Sequence, residues 1–247
     1  MIALLLSLAT SCAAPTPRVT ETPAQAGTAS PGDLFPEPKS GISIHLEPGK
    51  DMKLDELLAE FSRATGLHLV VNRETAAILK QTPTGLMDSL EIPKSEVYPV
   101  VESLLLQNEV VLTALTDREP RLFAVGTLAG NGRGGLLPPR SSAVFVPVES
   151  IPGYARHPAV LVTTVINLPS TDVRTLSNSI RTMFTDASTQ QIIPVGNSNS
   201  LIITGFGASI ASMVAMLKSV DDAARIDAEE AAKKAPVPPG VVPQPPR

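Results

Sequence analysis

The sequence has few aromatic residues, no tryptophan and no excess of basic residues. Aromatics make up 3% of the 247 residues, whereas proteins that stack bases or sugars use aromatic faces for contact. Lysine and arginine number 20 against 24 acidic residues, and they form no basic stripe able to neutralise a phosphate backbone. We therefore expect neither nucleic-acid binding nor carbohydrate binding.

The sequence also lacks a catalytic or metal-binding set. The three histidines, His45, His68 and His157, have no acidic residue at metal-ligand spacing, and we expect them at exposed polar positions. The acidic pairs Asp55-Glu56 and Asp221-Asp222 are expected on the solvated sides of helices. No nucleophile, base and orienting group can be nominated, so the prediction is a protein that is not an enzyme and needs no cofactor or metal.

One glycine pattern imitates a nucleotide site. Gly130, Gly132 and Gly135 match the G-x-G-x-x-G spacing of dinucleotide-binding folds and follow a predicted strand. Such a site needs a helix directly afterwards, whose N-terminus holds the pyrophosphate. Here the next residues are Leu-Leu-Pro-Pro, which cannot begin that helix in register, so we interpret the glycines as a linker.

The single cysteine, Cys12, excludes an internal disulfide and a cysteine-based zinc site. It follows an apolar run, residues 1–9, that is too short to cross a bilayer and has the length of a signal peptide's apolar region. Residues 8–12, Leu-Ala-Thr-Ser-Cys, resemble the lipobox of bacterial lipoproteins, with the leucine one position further from the cysteine than usual. The resemblance implies export and a lipid on Cys12; the alternative is an ordinary cleaved signal.

Proline marks the boundaries of the folded parts. Most of the 24 prolines lie in three stretches, residues 15–38, 138–158 and 236–246, and proline disfavours helices and central strands because it lacks the N–H. The sequence therefore predicts a signal segment and a disordered tether before one folded block, a linker, a second folded block and a charged helix end with a disordered tail. The corresponding ranges are 1–12, 13–40, 41–128, 129–158, 159–222 and 223–247.

The first block has the pattern β-α-β-(β)-α-β-β. Residues 42–47 alternate apolar and polar, as in a half-buried strand, and residues 54–64 carry an apolar stripe of helical period. Asp51 is the expected cap of that helix and Gly66 its end. Residues 67–71 are a short strand, residues 73–90 are ambiguous, a second helix begins at Ser95, and residues 110–115 and 122–125 form a hairpin.

The second block has the order β-α-β-β-α, a two-layer sandwich of the KH-like kind. Its strands are expected at residues 162–168, 190–195 and 200–204, and its helices begin at Ser170 and near residue 208. Ile202 is expected to be buried in the central strand, whereas Asp172 and Arg174 should face outward. A further short strand at residues 143–148 could join either block, and the two blocks are expected to fold independently.

The second block resembles the N1-type repeat of secretins, the ring-forming outer-membrane channels of type II and III secretion and type IV pili. The resemblance rests on Thr-Val-Ile-Asn-Leu at residues 164–168, Asn-Ser-Leu-Ile-Ile-Thr at 199–204 and the closing Val-Asp at 220–221. The first block is similar to the N0 domain shared by secretins and TonB-dependent receptors, with residues 54–71 as the best part. Secretins continue into a long β-rich pore domain, which we do not expect here because the second block is followed by a proline-rich tail.

The resemblance implies an α+β protein of two small modules that works by contact with other proteins. By that resemblance it would be an accessory component of a secretion or pilus machine in the periplasm, held by lipid to the outer membrane, with a secretin ring among its partners and homo-oligomerisation open. The alternative is a signalling or receptor adaptor that uses only the first block, as in TonB-dependent receptors.

Overall fold

The computed structural model describes residues 34–47, 51–116, 118–128, 139–184, 186–196 and 198–234. Cys12, the apolar run before it and the glycines of the G-x-G-x-x-G pattern lie outside the described residues. Helices and small sheets are mixed along the chain, as predicted for an α+β protein.

The first block contains two small sheets and three helices. One sheet is the antiparallel pair β1–β3; the other has the order β2-β5-β4, with β2 parallel and β4 antiparallel to β5. The ambiguous stretch forms a helix, which Asn72 caps by accepting the N–H of Thr75 at 2.7 Å, and then a strand. The elements are β1 (Ile42–Ile44), α1 (Leu54–Thr65), β2 (His68–Val71), α2 (Arg73–Gln81), β3 (Leu90–Ile92), α3 (Val97–Gln107), β4 (Val110–Ala114) and β5 (Leu122–Thr127).

Helix α1 shows how the local sequence specifies this block. Its apolar stripe is buried as predicted, and Gly66 ends it in the left-handed region at φ 78°, where a side chain would be strained. The expected cap, Asp51, is wrong: Lys53 occupies the N-cap position, and the Glu56 carboxylate accepts its backbone N–H at 3.3 Å. Glu56 thus satisfies a donor at the helix start, so no cap from Asp51 is needed.

The second block is a four-stranded sheet with two helices over one face. The sheet order is β6-β7-β9-β8, in which β6 is parallel to β7 and the other pairs are antiparallel. Leu201 and Ile203 on β9 are fully buried against the helices, whereas Ile202 points to the opposite face and is half-buried. The expectation for Ile202 was therefore wrong by one residue of strand register. The elements are β6 (Val144–Phe145), β7 (Leu161–Asn167), α4 (Val173–Arg181), β8 (Gln191–Pro194), β9 (Ser200–Phe206) and α5 (Gly207–Lys234).

The helices of this block differ from the prediction at their ends. Asp172, not Ser170, caps α4: its carboxylate accepts the N–H of Arg174 at 3.0 Å and the hydroxyl of Thr175 at 2.7 Å. Helix α5 continues to Lys234, as expected, and Arg225 pairs with Asp222 and Glu229 along its exposed part. No helix in the described part of the chain is long and apolar enough to cross a membrane.

The buried side chains of both blocks form one continuous cluster. Residues 139–158, expected to be linker, contain β6 and two short 3-10 helices, Pro139–Ser142 and Ile151–Arg156, with Ile151 and Tyr154 at 0% exposure. Residues 34–40, expected to be tether, include Leu34 and Phe35 at 1% and 6% exposure. The proline content predicted loose chain here, but apolar and aromatic residues between the prolines pack into the core.

Candidate interaction surfaces

A buried acid–base pair joins the two blocks. Glu102 on α3 has 0% exposure, and its Oε1 lies 2.9 Å from Nδ1 of His157. Its Oε2 accepts the N–H of Ala159 at 3.2 Å. Burial raises the pKa of Glu102, while His157 and the Ala159 N–H act in the opposite direction. His157 is thus not at an exposed position, contrary to the expectation, whereas His45 and His68 are exposed.

We call residues 34–39 the strap, because this segment lies across the acid–base pair. The Phe35 ring stacks on the His157 ring with centroids 3.8 Å apart, and Tyr98 donates its hydroxyl to the carbonyl of Pro36 at 2.7 Å. Burial, followed by the Glu102 charge, raises the pKa of Tyr98. The scarce aromatics therefore concentrate here. The only sequence signal was the apolar Leu-Phe pair at 34–35 in an otherwise polar, proline-rich stretch.

Residues 157–160, which we call the junction, cover the edge of β4. Leu112 of β4 donates its N–H to the Ala159 carbonyl at 3.1 Å and forms an isolated parallel bridge with Val160. Gly207, the first residue of α5, donates its N–H to the Val160 carbonyl at 2.8 Å, and a Cβ at Gly207 would lie 2.7 Å from the His157 carbonyl oxygen. The edge of β4 is therefore covered at Leu112 from within the chain, and the start of α5 fits against the junction only without a side chain.

Other strand edges carry no neighbouring strand within the described ranges. Strands β8 and β6 end the four-stranded sheet, β2 ends the three-stranded sheet, and β1 and β3 pair only with each other. Strand β6 has two residues, while β8 has four and carries Ile193 at 41% exposure. An uncovered edge presents N–H and C=O groups that another strand can pair with, and β8 is the longer of the two such edges in the second block.

Three apolar side chains form a row across the outer face of the four-stranded sheet. Val165, Ile202 and Ile193 are cross-strand neighbours on β7, β9 and β8. Val165 and Ile193 are each 41% exposed. At the other end of the same face, Leu161 and Phe206 are buried against Val111 of β4. We call Val165, Ile202 and Ile193 the sheet row; it leaves an apolar strip exposed next to the open edge of β8.

Two grooves of similar volume flank α1. One, of about 280 Å³, lies beside β1 and is rich in acids, including Asp51, Glu56 and Glu60. The other, also about 280 Å³, is apolar and is lined by Leu58, Leu69 and Leu79, with Asp55 and Lys80. Within the described ranges no cluster of His, Cys, Asp and Glu is arranged to hold a metal ion.

The predicted solvated pair Asp221-Asp222 divides into two roles. Asp221 accepts the backbone N–H of Ser170 and the hydroxyl of Thr171, both at 2.9 Å, and so ties α5 to the turn before α4. Asp222 contacts Arg225 on the helix surface at 3.4 Å. The closing Val-Asp of the repeat pattern thus contributes a structural hydrogen bond, and the first aspartate is not a purely solvated charge.

No family model and no curated protein matches the sequence. Among solved structures, the chain matches the N-terminal domain of the secretin XcpQ from Pseudomonas aeruginosa at 19% identity, over 74% of this chain and 64% of that one, with a TM-score of 0.24. It also matches the Klebsiella pneumoniae type II secretion outer membrane complex of PulD, PulS and the PulC HR domain, at 17% identity over 70% and 26% of the two chains and a TM-score of 0.44.

A third match is the GspC–GspD complex of the type II secretion system of enterotoxigenic Escherichia coli, at 14% identity, over 74% of this chain and 99% of that one, with a TM-score of 0.25. The matched structures are secretin N-terminal domains of type II secretion, the family that the sequence resemblance named. The alignment takes in less than two thirds of the XcpQ and PulD complex chains.

Proposed function

We propose that this chain is a non-catalytic interaction protein of the bacterial cell envelope, an accessory subunit of a protein secretion or type IV pilus machine. The observation that carries the proposal is the exposed sheet row beside the open edge of β8. A partner strand added to β8 gains main-chain hydrogen bonds, and its side chains cover the sheet row. The two contributions come from one contact and need no catalytic group.

The burial of the rest of the fold supports this choice of surface. Helices α4 and α5 cover the inward face of the four-stranded sheet, and the junction covers the edge of β4. Val165 and Ile193, at the two ends of the sheet row, are each 41% exposed, and Ile202 lies between them. Single exposed apolar residues are ordinary on protein surfaces, whereas a contiguous apolar strip beside a strand edge is typical of an interaction site.

The attachment to the membrane belongs to the same proposal. Cys12 carries a lipid that holds the protein at the outer membrane, and residues 13–33 connect that anchor to the strap. Metabolic labelling of cells with a clickable fatty acid tests this part. Label taken up by the wild type and not by Cys12→Ala supports the anchor, and equal label in both contradicts it.

Site-specific crosslinking in intact cells tests the interaction site. A photo-crosslinking side chain replaces Ile193 on β8, and the matched control replaces Ile78 on α2, which has a similar exposure of 45%. We expect a crosslink to a secretin or to another component of a secretion or pilus machine from position 193, and none from position 78. Mass spectrometry of the crosslinked band identifies the partner.

Two outcomes contradict the proposal. If position 193 crosslinks only to an inner-membrane regulator, the chain is a signalling adaptor. If positions 193, 165 and 202 crosslink to nothing while the protein is present and folded, the sheet row is not an interaction site. A crosslink to a second copy of this chain alone indicates self-assembly and removes the accessory role.

A further inference from the structure

The acid–base pair at the junction is buried, links separate parts of the chain and has no role in the proposed interaction site. It joins α3 of the first block to the entry of the second block, and the strap lies over it. A net charge at a site with 0% exposure is costly, because the charge loses its hydration. The favoured buried state is therefore electrically neutral. In that state the pair holds one proton more than a Glu102 carboxylate beside a neutral His157 imidazole would hold.

The charged groups around the pair offset one another. Three cations in this region each lie within 4 Å of an acid: Lys94 with Glu37 from the strap at 2.8 Å, Arg156 with Glu96 from the start of α3 at 2.8 Å, and Arg121 with Glu119 from the turn before β5 at 3.4 Å. The first two pairs lie at the surface, whereas Nε of Arg121 is buried without a hydrogen-bond partner, and the Arg121 charge acts to lower the pKa of Tyr98. Two tyrosines also face the pair: Tyr98, whose hydroxyl donates to Pro36, and Tyr154, whose ring centroid lies 6.1 Å from that of His157.

We propose that the contact between Glu102 and His157 is a proton-dependent latch that fastens the junction and the strap over β4. Opening the latch exposes both side chains to water. A carboxyl and an imidazole that are both solvated keep one such proton only below the ordinary histidine range, about pH 6.5, and lose it above that range. Opening above that pH is therefore coupled to proton release, and rising pH favours the open form.

The open form differs from the closed form at defined backbone groups. The N–H of Leu112 loses the Ala159 carbonyl, and the N–H of Ala159 loses Glu102. The edge of β4 then becomes available to another strand, and Phe35 leaves the His157 ring. This inference concerns the chain alone and does not depend on the proposed partner, so each can fail without the other.

Amide hydrogen exchange of the purified protein measures the opening, after correction for the intrinsic pH dependence of exchange. We expect the opening equilibrium at Leu112 and Ala159 to rise by up to about tenfold per pH unit between about pH 6.5 and pH 8, the limit for release of one proton. Amides of the β7–β9 ladder that exchange by global unfolding expose the same pair, so they share the pH slope but should open far less often than the junction amides. If the junction amides open only as rarely as the ladder amides, or open without the pH slope, the latch is absent and the pair is a static contact.

Two variants sharpen the experiment. Glu102→Gln retains an acceptor for the Ala159 N–H and a donor for neutral His157, but it carries no titratable proton. We expect it to lose the increase in opening above pH 6.5, since no proton from residue 102 remains to be released. Glu74→Gln, at an exposed position of α2, is the matched control and should retain the increase. If Glu102→Gln opens with rising pH as the wild type does, the proposal is wrong; if it does not fold, the comparison of the two sets of wild-type amides decides.

Discussion

The edges of β4 and β8 differ in whether another part of the chain covers their backbone N–H and C=O groups. Both strands end a sheet within the described residues, but β4 is closed by Ala159 and Val160 from the same chain, while β8 is left open. The closed edge is accompanied by aromatic residues and a buried acid–base pair, and the open edge by the half-exposed sheet row. The difference teaches that this chain covers one strand edge with its own backbone and leaves the other edge, with its apolar face, open within the described residues.

Removing the segment before β7, residues 139–158, should have the largest effect on the stability of the second block. A fragment of residues 159–222 lacks Ile151 and Tyr154, which are fully buried in the common core. We expect it to unfold without a cooperative transition, because two large core side chains and strand β6 are missing. A fragment of residues 139–234 restores them and is the control. Cooperative thermal unfolding of the shorter fragment, at the temperature of the longer one, would show that the blocks fold independently, as linker composition predicts.

The two faces of β9 should respond very differently to a charge. Ile203→Asp places an unpaired carboxylate at a position with 0% exposure, and we expect a loss of more than about 4 kcal/mol in the free energy of unfolding. Ile202→Asp, one residue earlier on the outer face, should cost much less because its carboxylate reaches water. Urea unfolding of both proteins measures the difference. Equal destabilisation would mean that the sheet row is buried.

Removing the Phe35 side chain tests how much the strap contributes to the free energy of unfolding. Phe35 is 6% exposed and contacts His157, Tyr98, Tyr154 and Phe123. Phe35→Ala should lower the free energy of unfolding by about 3 kcal/mol, the usual scale for a phenylalanine removed from a core. Met87→Ala, at 94% exposure, provides a control that should change little. A change of less than 1 kcal/mol at Phe35 would place the strap outside the cooperative fold.

The smallest expected effect lies beside the open edge. Asp172 caps α4, next to the turn that follows β8, and Asp172→Ala should cost about 1 kcal/mol, the usual value for a lost N-cap. Ser179→Ala, on the exposed surface of the same helix, is a suitable control. Equal stability of the two variants would contradict the assignment of Asp172 as the cap.

The sequence predicted those parts of the fold that depend on local periodicity and turn chemistry. The stripe of α1 and the stop at Gly66 were predicted from residue spacing, and the strands of the second block from apolar runs bounded by turn residues, because each is specified by neighbouring residues. The side chosen for Ile202 failed because a strand with a continuous apolar run, Leu-Ile-Ile, gives no alternation from which to infer its buried face.

The junction could not be predicted from the sequence. Glu102 and His157 are 55 residues apart along the chain, and Glu102 occupies a helical position that spacing alone assigns no special role. The proline content of the strap and of the segment before β7 led to the prediction of loose chain. Proline argues against helix and central strand, but it does not prevent individual side chains such as Phe35 and Tyr154 from packing into a core. Long-range contacts of this kind depend on the assembled fold.

The comparison of the two edges is tested most directly by amide exchange of the protein alone and bound to the partner found by crosslinking. The account predicts that binding slows exchange at the N–H of Ile192, which faces the open edge of β8 next to Pro194, a residue without an N–H, while exchange at Leu112 of β4 remains unchanged at constant pH. Protection that appears at Leu112 and not at β8, or nowhere along either strand, would contradict the assignment of β8 and the sheet row as the interaction site.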